Sequence, residues 1–433
     1  MVFMIKISKK NFLNIFLILI SITLFVIGFI LNEDSAGGGA IDFNNTWNNQ
    51  KVFDQNSIID SLENTKSSRI LAYKNSHFPT SYILNKFLNP FSIDKEKFRI
   101  SIFVLNLFLP LIFFISLKNI FKNIDVSLLA AYSSIIYLSP YFRTSAYWAS
   151  LENYGLYCLI ISIYFFSKYK VYLLNKENLK NKNIFIILLS FFSCICVYFD
   201  QKLLFVPIIY FFYVLKFEKN NISKFVYLIS NFLLSLPVVG LILYWGTIIP
   251  PHTSNTRDVG NLYLEQVGYS FSIIFFYLIP YMIINYKKII LDFNYKKNKN
   301  IILFSIIFLL FMLIIDHDYG GWEIYGKGWL HKFSNLIFEN QNYRRIFTYI
   351  IFLITMILSI KILIRQKILI FFVFFMCLIS IFSNPIFQEY FDPLVFIILS
   401  CFFYKKNELN NKLVNTIYFY NLIFLVFANI YYF

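Results

Sequence analysis

Residues 11–31 of the chain read NFLNIFLILISITLFVIGFIL. The run is almost wholly apolar, and about 20 such residues, rising about 1.5 Å each, cross the hydrocarbon core of a bilayer. It follows Lys6, Lys9 and Lys10, as the core of a signal peptide would. Its apolar stretch is longer than a typical signal core and no clean small-residue cleavage site follows, so we interpret it as a retained membrane helix.

The apolar composition continues through the whole chain. Its 433 residues are 58% hydrophobic and include 54 Phe, with a mean hydropathy of +0.62. Leu, Ile and Phe run on without the alternation of a barrel strand, which favours helices over a β-barrel. We therefore predict an all-α integral membrane protein. About thirteen transmembrane helices are expected near 11–31, 100–118, 124–140, 153–170, 183–199, 202–216, 225–245, 268–286, 300–315, 346–364, 367–383, 390–404 and 413–433.

The loops between these segments divide into two sets by charge. Alternate loops on one side carry 24 of the 39 Lys and Arg but only 5 of the 23 Asp and Glu. The other side has the remaining 18 acids and all four His. Because basic loops stay in the cytoplasm, we predict a multi-pass protein of the inner (plasma) membrane, with a cytoplasmic amino terminus and extracytoplasmic polar chemistry. The net charge of +16 forms no basic stripe, so no nucleic-acid partner is expected.

The chain is expected to form a single polytopic membrane domain, 1–433, with an outward-facing cap of loops and interfacial helices. Three extracytoplasmic segments are sizeable: 32–99, 246–267 and 316–345. Within the first, residues 45–69 have apolar side chains at roughly helical spacing, which predicts an amphipathic helix. No Walker A motif is present, so an ATP-driven pump is unsupported.

The first candidate for chemistry follows the first span. Glu33 and Asp34 are adjacent acids, and Asp42 follows a run of three glycines that allows close backbone approach to a ligand. An acid at this position can deprotonate an acceptor hydroxyl. The alternative is a solvated helix end with a linker behind it.

Two short turns supply further candidates. The turn 141–153 contains Arg143, whose planar fork of donors suits a phosphate, and Glu152; the two side chains alternatively pair with each other. Asp200 and Lys202 lie between two spans with almost no loop, where ionisable groups usually face a polar interior or each other. We expect all four residues to bind substrate.

Other polar residues of the outer loops complete the predicted substrate site. They are Asp42, His77, Arg257, Asp258, Arg344, Arg345, Gln388 and Tyr390. Asp316, His317 and Asp318 have the side chains of metal ligands, but adjacent residues do not all point at one ion without an unusual turn. No metal site is therefore assigned, and a divalent cation is optional.

These features together resemble the GT-C superfamily of membrane glycosyltransferases. The likeness lies in a first helix from an inside amino terminus, a long first outer loop opening with Glu33 and Asp34, the later turn RTSAYW at 143–148, and YFDP at 390–393. The order is most similar to the dolichyl-phosphate-glucose α-1,2-glucosyltransferases, and more distantly to protein O-mannosyltransferases and aminoarabinose transferases. The resemblance implies an acid of the first loop acting on the acceptor, and the Glu-Asp order leaves open which of the two it is.

The expected activity is inverting sugar transfer from a polyprenyl-phosphate donor to a glycan, lipid or protein acceptor in the cell envelope. Nucleotide sugars are absent outside the cytoplasm, so a lipid must carry the donor sugar. Three alternatives remain: a glycan polymerase or ligase, a transporter or flippase for a glycolipid or small solute, and a non-enzymatic scaffold. A transporter is expected to have ionisable residues at mid-membrane depth and repeated halves, and neither is visible in the sequence.

Overall fold

A computed structural model describes residues 9–64, 75, 77–175, 179–248, 250, 262–291, 295–314, 326–382, 386–405 and 408–432. Every regular element in these ranges is a helix. The chain divides into two compact units, unit 1 (Met1–Thr256 and Lys406–Phe433) and unit 2 (Arg257–Lys405).

Unit 1 contains most of the helices. They are α1 (Lys9–Ile30), α2 (Gly39–Gln55), α3 (Ile58–Asn64), α4 (Thr80–Leu88), α5 (Lys95–Asn106), α6 (Leu109–Ile120), α7 (Val126–Ser134), α8 (Pro140–Tyr147), α9 (Asn153–Asn175), α10 (Leu179–Phe199), α11 (Phe205–Phe217) and α12 (Asn221–Trp245). Short 3-10 turns follow α7 at Ile135–Leu138 and α10 at Gln201–Leu204.

Unit 2 is built from six helices in the described residues. They are α13 (Glu265–Leu291), α14 (Tyr295–Ile314), α15 (Gly328–Ile337), α16 (Gln341–Leu363), α17 (Lys367–Ile381) and α18 (Leu394–Phe402), with a 3-10 turn at Gln388–Tyr390. The chain then returns to unit 1 as α19 (Asn411–Tyr432).

The prediction of an all-helical protein is confirmed for the described residues, and several of its helices could cross a membrane. Eight helices in that part of the chain are long and apolar enough to do so: Lys10–Ile30, Lys95–Ile120, Asn153–Leu173, Lys182–Phe199, Asn221–Trp245, Glu265–Ile289, Gln341–Leu363 and Asn411–Tyr432. The count of thirteen is not confirmed. Each of the other five predicted segments overlaps a helix that is not among these eight, such as Val126–Leu138 or Leu394–Phe402.

Polar and proline residues explain why two of these helices are short. The segment predicted at 124–140 ends where Ser139 caps α8 and Pro140 occupies its first turn. The segment predicted at 390–404 starts as a helix only after Pro393. The nine residues of α18 are about 14 Å long, whereas the hydrocarbon core is about 30 Å thick.

Hydrogen bonds fix the direction of three helices of unit 1. Near the start of α1, Asn14 donates to Ser127 at the start of α7, at 2.9 Å. Further along α1, Ser21 donates to the hydroxyl of Tyr418 on α19 at 3.0 Å, and Glu33 just beyond α1 meets Asn429 near the end of α19. Ser134, the last residue of α7, donates to Ser21 at 3.4 Å, so α1, α7 and α19 run in the same direction.

The segment between α1 and α5 folds back onto unit 1 through an apolar cluster. Phe43, Trp47 and Phe53 of α2 pack with Tyr82 of α4 and Phe98 of α5. Burial of each such side chain contributes about 1.5–3 kcal/mol. The amphipathic helix predicted over 45–69 is two helices, α2 and α3, because the helix is interrupted at 56–57.

Candidate functional site

The residues 31–38 between α1 and α2, here called the Asp34 loop, are held by a buried ion pair. Arg143 of α8 donates from Nε to Glu33 Oε1 at 2.8 Å, and its Nη2 contacts Glu33 Oε2. The side chains of Arg143 and Glu33 are only 3% and 10% exposed. Arg143 also donates to the carbonyl oxygens of Tyr137 and Leu24, at 3.1 and 2.9 Å. All three nitrogens of the Arg143 guanidinium are thus hydrogen-bonded within unit 1. Arg143 therefore holds the loop in place and does not offer its guanidinium to a phosphate.

The Asp34 loop also binds α8 through its backbone and small side chains. Three hydrogen bonds do this: Trp148 Nε1 to Glu33 O at 3.1 Å, Ser35 Oγ to Pro140 O at 2.9 Å and Ala36 N to Thr144 Oγ1 at 2.9 Å. Each joins the loop to α8 or to the residue that follows it. The loop is therefore fixed along most of its length, although its sequence reads as a flexible glycine-containing linker.

The loop that is held in this way carries the carboxylate of Asp34. Its Oδ2 accepts a hydrogen bond from the backbone N–H of Gly39 at 2.9 Å. Its Oδ1 has no hydrogen-bond partner among the described residues. Burial raises the pKa of Asp34 above its ordinary value, against the opposing effect of N–H groups of the glycines and the hydroxyl of Thr144. A half-buried carboxylate with a raised pKa and one buried oxygen that lacks a hydrogen-bond partner among the described residues is chemically suited to accept a proton.

A second arginine supports the same loop and was not identified from the sequence. Arg99 of α5 donates from Nε to Tyr147 O at 2.7 Å and from Nη2 to Asn32 Oδ1 at 2.6 Å. Its guanidinium carbon lies 4.3 Å from the ring centre of Trp148 and 5.0 Å from that of Phe29. A sequence signal existed, because Arg99 is a charge at the very edge of an apolar span.

Four predicted residues form a second group, here called the Glu152 cluster (His77, Glu152, Asp200 and Lys202). Glu152 Oε1 is 2.8 Å from His77 Nε2, and Glu152 Oε2 is 3.0 Å from Lys202 Nζ. Lys202 Nζ is also 3.4 Å from Asp200 Oδ2. The sequence-based alternative that Arg143 pairs with Glu152 is wrong, since Arg143 pairs with Glu33 and Glu152 with His77 and Lys202.

The pKa values in the Glu152 cluster reflect these pairs. Burial alone would raise the pKa of Glu152, but the positive charges of Lys202 and His77 hold it well below its ordinary value. Burial alone would lower the pKa of His77, and Glu152 outweighs this and raises it. The pKa of Asp200 is raised, first by burial and then by Glu152, against the effect of Lys202.

The carboxylates of the two groups are near enough to influence each other. By exposed area Asp42 is open to solvent, yet protein atoms crowd its carboxyl, and this crowding together with the charges of Glu152 and Asp34 raises its pKa. Glu152 has a side chain that is 39% exposed, although burial is the largest influence on its pKa. The carboxyl groups of Asp34, Asp42 and Glu152 are therefore close enough in unit 1 for the charges of Asp34 and Glu152 to raise the pKa of Asp42.

No family model, no curated protein and no solved structure matches the chain. The chemistry of the site is therefore argued from the residues of the Asp34 loop and the Glu152 cluster.

Six of the predicted site residues belong to unit 2, and the structure describes four of them. Arg344, at the start of α16, donates to Asn335 Oδ1 at 2.8 Å and to Glu339 O at 3.1 Å, and Arg345 is exposed. Gln388 is 2% exposed, and its Oε1 accepts a hydrogen bond from the backbone N–H of Trp329 at 2.9 Å. Tyr390 is half-buried. These residues lie in a unit separate from the one that holds Asp34 and Glu152.

Two lysines of unit 2 have unusual environments that were not predicted from the sequence. Lys327 is 4% exposed, in the left-handed region at φ 63°, and its Nζ is 5.8 Å from the ring centre of Tyr269. Burial lowers the pKa of Lys332 to about 8, against the effect of Glu389. Neither position follows a recognisable pattern in the sequence.

The remaining predicted residues lie outside the described part of the chain. They are Arg257, Asp258, Asp316, His317 and Asp318. Within the described ranges, no group of three or more His, Cys, Asp and Glu side chains is arranged to hold a metal ion.

Proposed function

We propose that the protein is an inverting membrane glycosyltransferase similar to the GT-C superfamily. It would move a sugar from a polyprenyl-phosphate donor to a glycan, lipid or protein acceptor on the extracytoplasmic side of the plasma membrane. The observation that supports this most directly is the braced Asp34 loop, which fixes the Asp34 carboxylate just beyond the end of α1. The proposal places the substrates in a recess lined by Asp34, Asp42 and Glu152.

Of the two adjacent acids, Asp34 is the better base. Both oxygens of Glu33 contact Arg143, and Oε1 also accepts a hydrogen bond from Asn429 at 3.2 Å. Neither oxygen of Glu33 is therefore available to an acceptor hydroxyl. Asp34 makes no ion pair within the described residues, its Oδ1 is a buried oxygen with no hydrogen-bond partner there, and burial raises its pKa.

The reaction is a single displacement. Asp34 takes the proton of an acceptor hydroxyl as the oxygen attacks the anomeric carbon from the face opposite the phosphate. The bond between the anomeric carbon and the phosphate oxygen breaks, and polyprenyl phosphate leaves with the electron pair. The leaving group is an ionised phosphate, so no general acid is needed, and the proton passes from Asp34 to water.

The Glu152 cluster is assigned to substrate positioning. Lys202 is the cation of unit 1 proposed for the donor phosphate, since such a charge stabilises the negative charge that develops on it. Arg257, predicted from the sequence to bind substrate, lies outside the described residues. His77, Asp42 and Glu152 offer polar groups to sugar hydroxyls. A divalent cation at Asp316, His317 and Asp318 stays optional.

The placement of charge favours this proposal over a transporter. The described ion pairs of unit 1 lie at helix ends, including Lys182–Glu218 at the starts of α10 and α12. A transporter typically has ionisable groups in broken helices at mid-membrane depth. A polymerase or ligase would use the same recess and differ in the donor, which would be a lipid-linked oligosaccharide.

The test is sugar transfer in membranes that contain the protein and its acceptors. A panel of radiolabelled polyprenyl-phosphate hexoses is supplied to wild type, to Asp34→Asn and to Asp60→Asn as the matched control. Asp60 is an exposed acid of the same extracytoplasmic segment, bonded to Ser57. Because a general base contributes about 10²–10⁴-fold, Asp34→Asn is expected to lose transfer by that factor while Asp60→Asn keeps it.

Two results would defeat the proposal. One is full transfer by the double variant Glu33→Gln/Asp34→Asn, expressed at the wild-type level. The other is labelling of a cysteine introduced at position 34 by an impermeant thiol reagent applied from the cytoplasmic side only.

A further inference from the structure

The last turns of α19 touch the Asp34 loop. Asn429 Nδ2 donates to Glu33 Oε1 at 3.2 Å and to the carbonyl of Leu425 at 3.1 Å. One helical turn further, the ring of Tyr432 lies against Gly37. The residues in contact are nearly four hundred positions apart, so no local sequence pattern predicts these contacts.

Gly37 is the point of closest approach. Its φ of +79° lies in the left-handed region, where a side chain is strained. A Cβ on Gly37 would also sit 2.3 Å from Cε1 of Tyr432 and 2.6 Å from Cδ1, far inside van der Waals contact. The ring therefore rests directly on the loop backbone, three residues after Asp34.

We propose that Asn429 and Tyr432 are positioning residues that hold the Asp34 loop against α8 in its working conformation. The inference rests on the proposed role of Asp34 as the base. Neither residue touches the reacting atoms. The Tyr432 ring covers the loop backbone, and the Asn429 amide fixes one oxygen of Glu33 and thereby the residue that precedes Asp34.

Removal of the Tyr432 ring should admit water to the Asp34 loop and lower the pKa of Asp34. Burial is the largest cause of the raised pKa of Asp34. The charged groups near it are the pair of Glu33 with Arg143 from α8, Asp42 on α2 and, beyond Asp42, Glu152. Tyr432→Ala leaves all of these charges in place. A lower pKa of Asp34 in that variant would therefore result from water reaching the loop.

The experiment measures the protonation of Asp34 without any substrate. The full-length protein in detergent is treated with N,N′-dicyclohexylcarbodiimide, which adds to protonated carboxyl groups, across a pH series. Mass spectrometry quantifies the adduct on the peptide containing Asp34, with Asp34→Asn as the blank. The compared variants are Tyr432→Ala, Tyr432→Phe, Asn429→Ala and the control Phe427→Ala, which removes an aromatic ring from the same helix that is 66% exposed.

Tyr432→Ala is expected to shift the labelling curve to lower pH. A fall of about half a pKa unit lowers the protonated fraction about threefold at a pH above both values. Tyr432→Phe should keep the wild-type curve, because the ring and not the hydroxyl covers Gly37, and Phe427→Ala should match it too. Asn429→Ala, which removes only an amide, should shift the curve in the same direction by less.

Curves for both Tyr432→Ala and Asn429→Ala that coincide with wild type would overturn the inference, as would an equal shift in Phe427→Ala. If Tyr432→Ala does not fold, Asn429→Ala decides, and an unshifted curve overturns the inference. The labelling test can fail independently of the proposed function, which is tested by whether Asp34→Asn loses sugar transfer. Where transfer is measurable, the Tyr432→Ala loss should fall on kcat more than on KM.

Discussion

Gly28 on α1 provides a sharp test of the buried ion pair. A Cβ at this position would lie 2.4 Å from Arg143 Nη2, 2.4 Å from Glu33 Oε2 and 2.6 Å from the hydroxyl of Tyr147. All three side chains are buried and hydrogen-bonded, so none can swing into water to make room. Gly28→Ala must therefore separate the pair or push α1 away from α8.

Two opposing contributions to the free energy of unfolding decide whether Gly28→Ala stabilises or destabilises the protein. Alanine is a better helix former than glycine by about 1 kcal/mol, which by itself would stabilise α1. Disrupting a buried ion pair so that one charge is left uncompensated costs about 3–5 kcal/mol. The free energy of unfolding should consequently fall by about 2–4 kcal/mol.

Thermal unfolding in detergent with a thiol-reactive dye measures this change. The five cysteines are free and lie in helices, four of them buried, so they react when the fold opens. Gly240→Ala is the matched control, because a Cβ at Gly240 on α12 meets nothing within 4 Å. Its Tm should equal or exceed that of wild type. Equal Tm values for Gly28→Ala and Gly240→Ala would refute the reasoning.

Two further predictions concern the other charged groups of unit 1. Because Glu152 raises the pKa of His77 above its ordinary value of about 6.5, protonation of His77 adds stability that is fully present below that value and lost as pH rises through the folded value. Tm should decline across this pH range in wild type but much less in Glu152→Gln, and parallel curves would contradict the assignment. Lys182 and Glu218 pair at 2.9 Å with side chains 8% and 2% exposed, so Glu218→Gln should lower the unfolding free energy by about 3–5 kcal/mol, while Lys182→Met/Glu218→Leu should cost much less. Denaturant titration of the single and double variants distinguishes these outcomes, and equal losses would oppose the argument.

Hydrophobic runs were sufficient to predict the helices but not all of their lengths. Every predicted span overlaps a helix, because a long apolar stretch in a membrane has no other way to satisfy its backbone. The lengths depend on capping and on proline, as at Ser139 and Pro140, where a single apolar run is divided between α7 and α8. The division into two units, with α19 returning to the first, depends on long-range packing that hydropathy does not encode.

The candidate site was predictable in its residue types and only partly in its pairings. We identified Glu33, Asp34, Glu152 and Lys202 because they lie at the ends of apolar spans. In unit 1, Glu33 pairs with Arg143 and Glu152 pairs with Lys202. Which guanidinium meets which carboxylate depends on how α8 packs against α1, over a separation of 110 residues. The roles of Gly28 and Asn429 are invisible in the sequence for the same reason, since they arise from close approach between helices distant in the chain.

The return of α19 to unit 1 has a consequence for how the protein is made. Ser21 and Glu33 bond to residues that follow them by 397 and 396 positions. A ribosome adding about 5–20 residues each second needs roughly 20–80 s to cover that distance. Throughout this interval the surface of α7, α8 and the 3-10 turn between them that α19 covers has no partner, and all of unit 2 is synthesised before this gap is filled. A stop codon anywhere before the final helix would thus leave a species that cellular quality control can recognise by that gap.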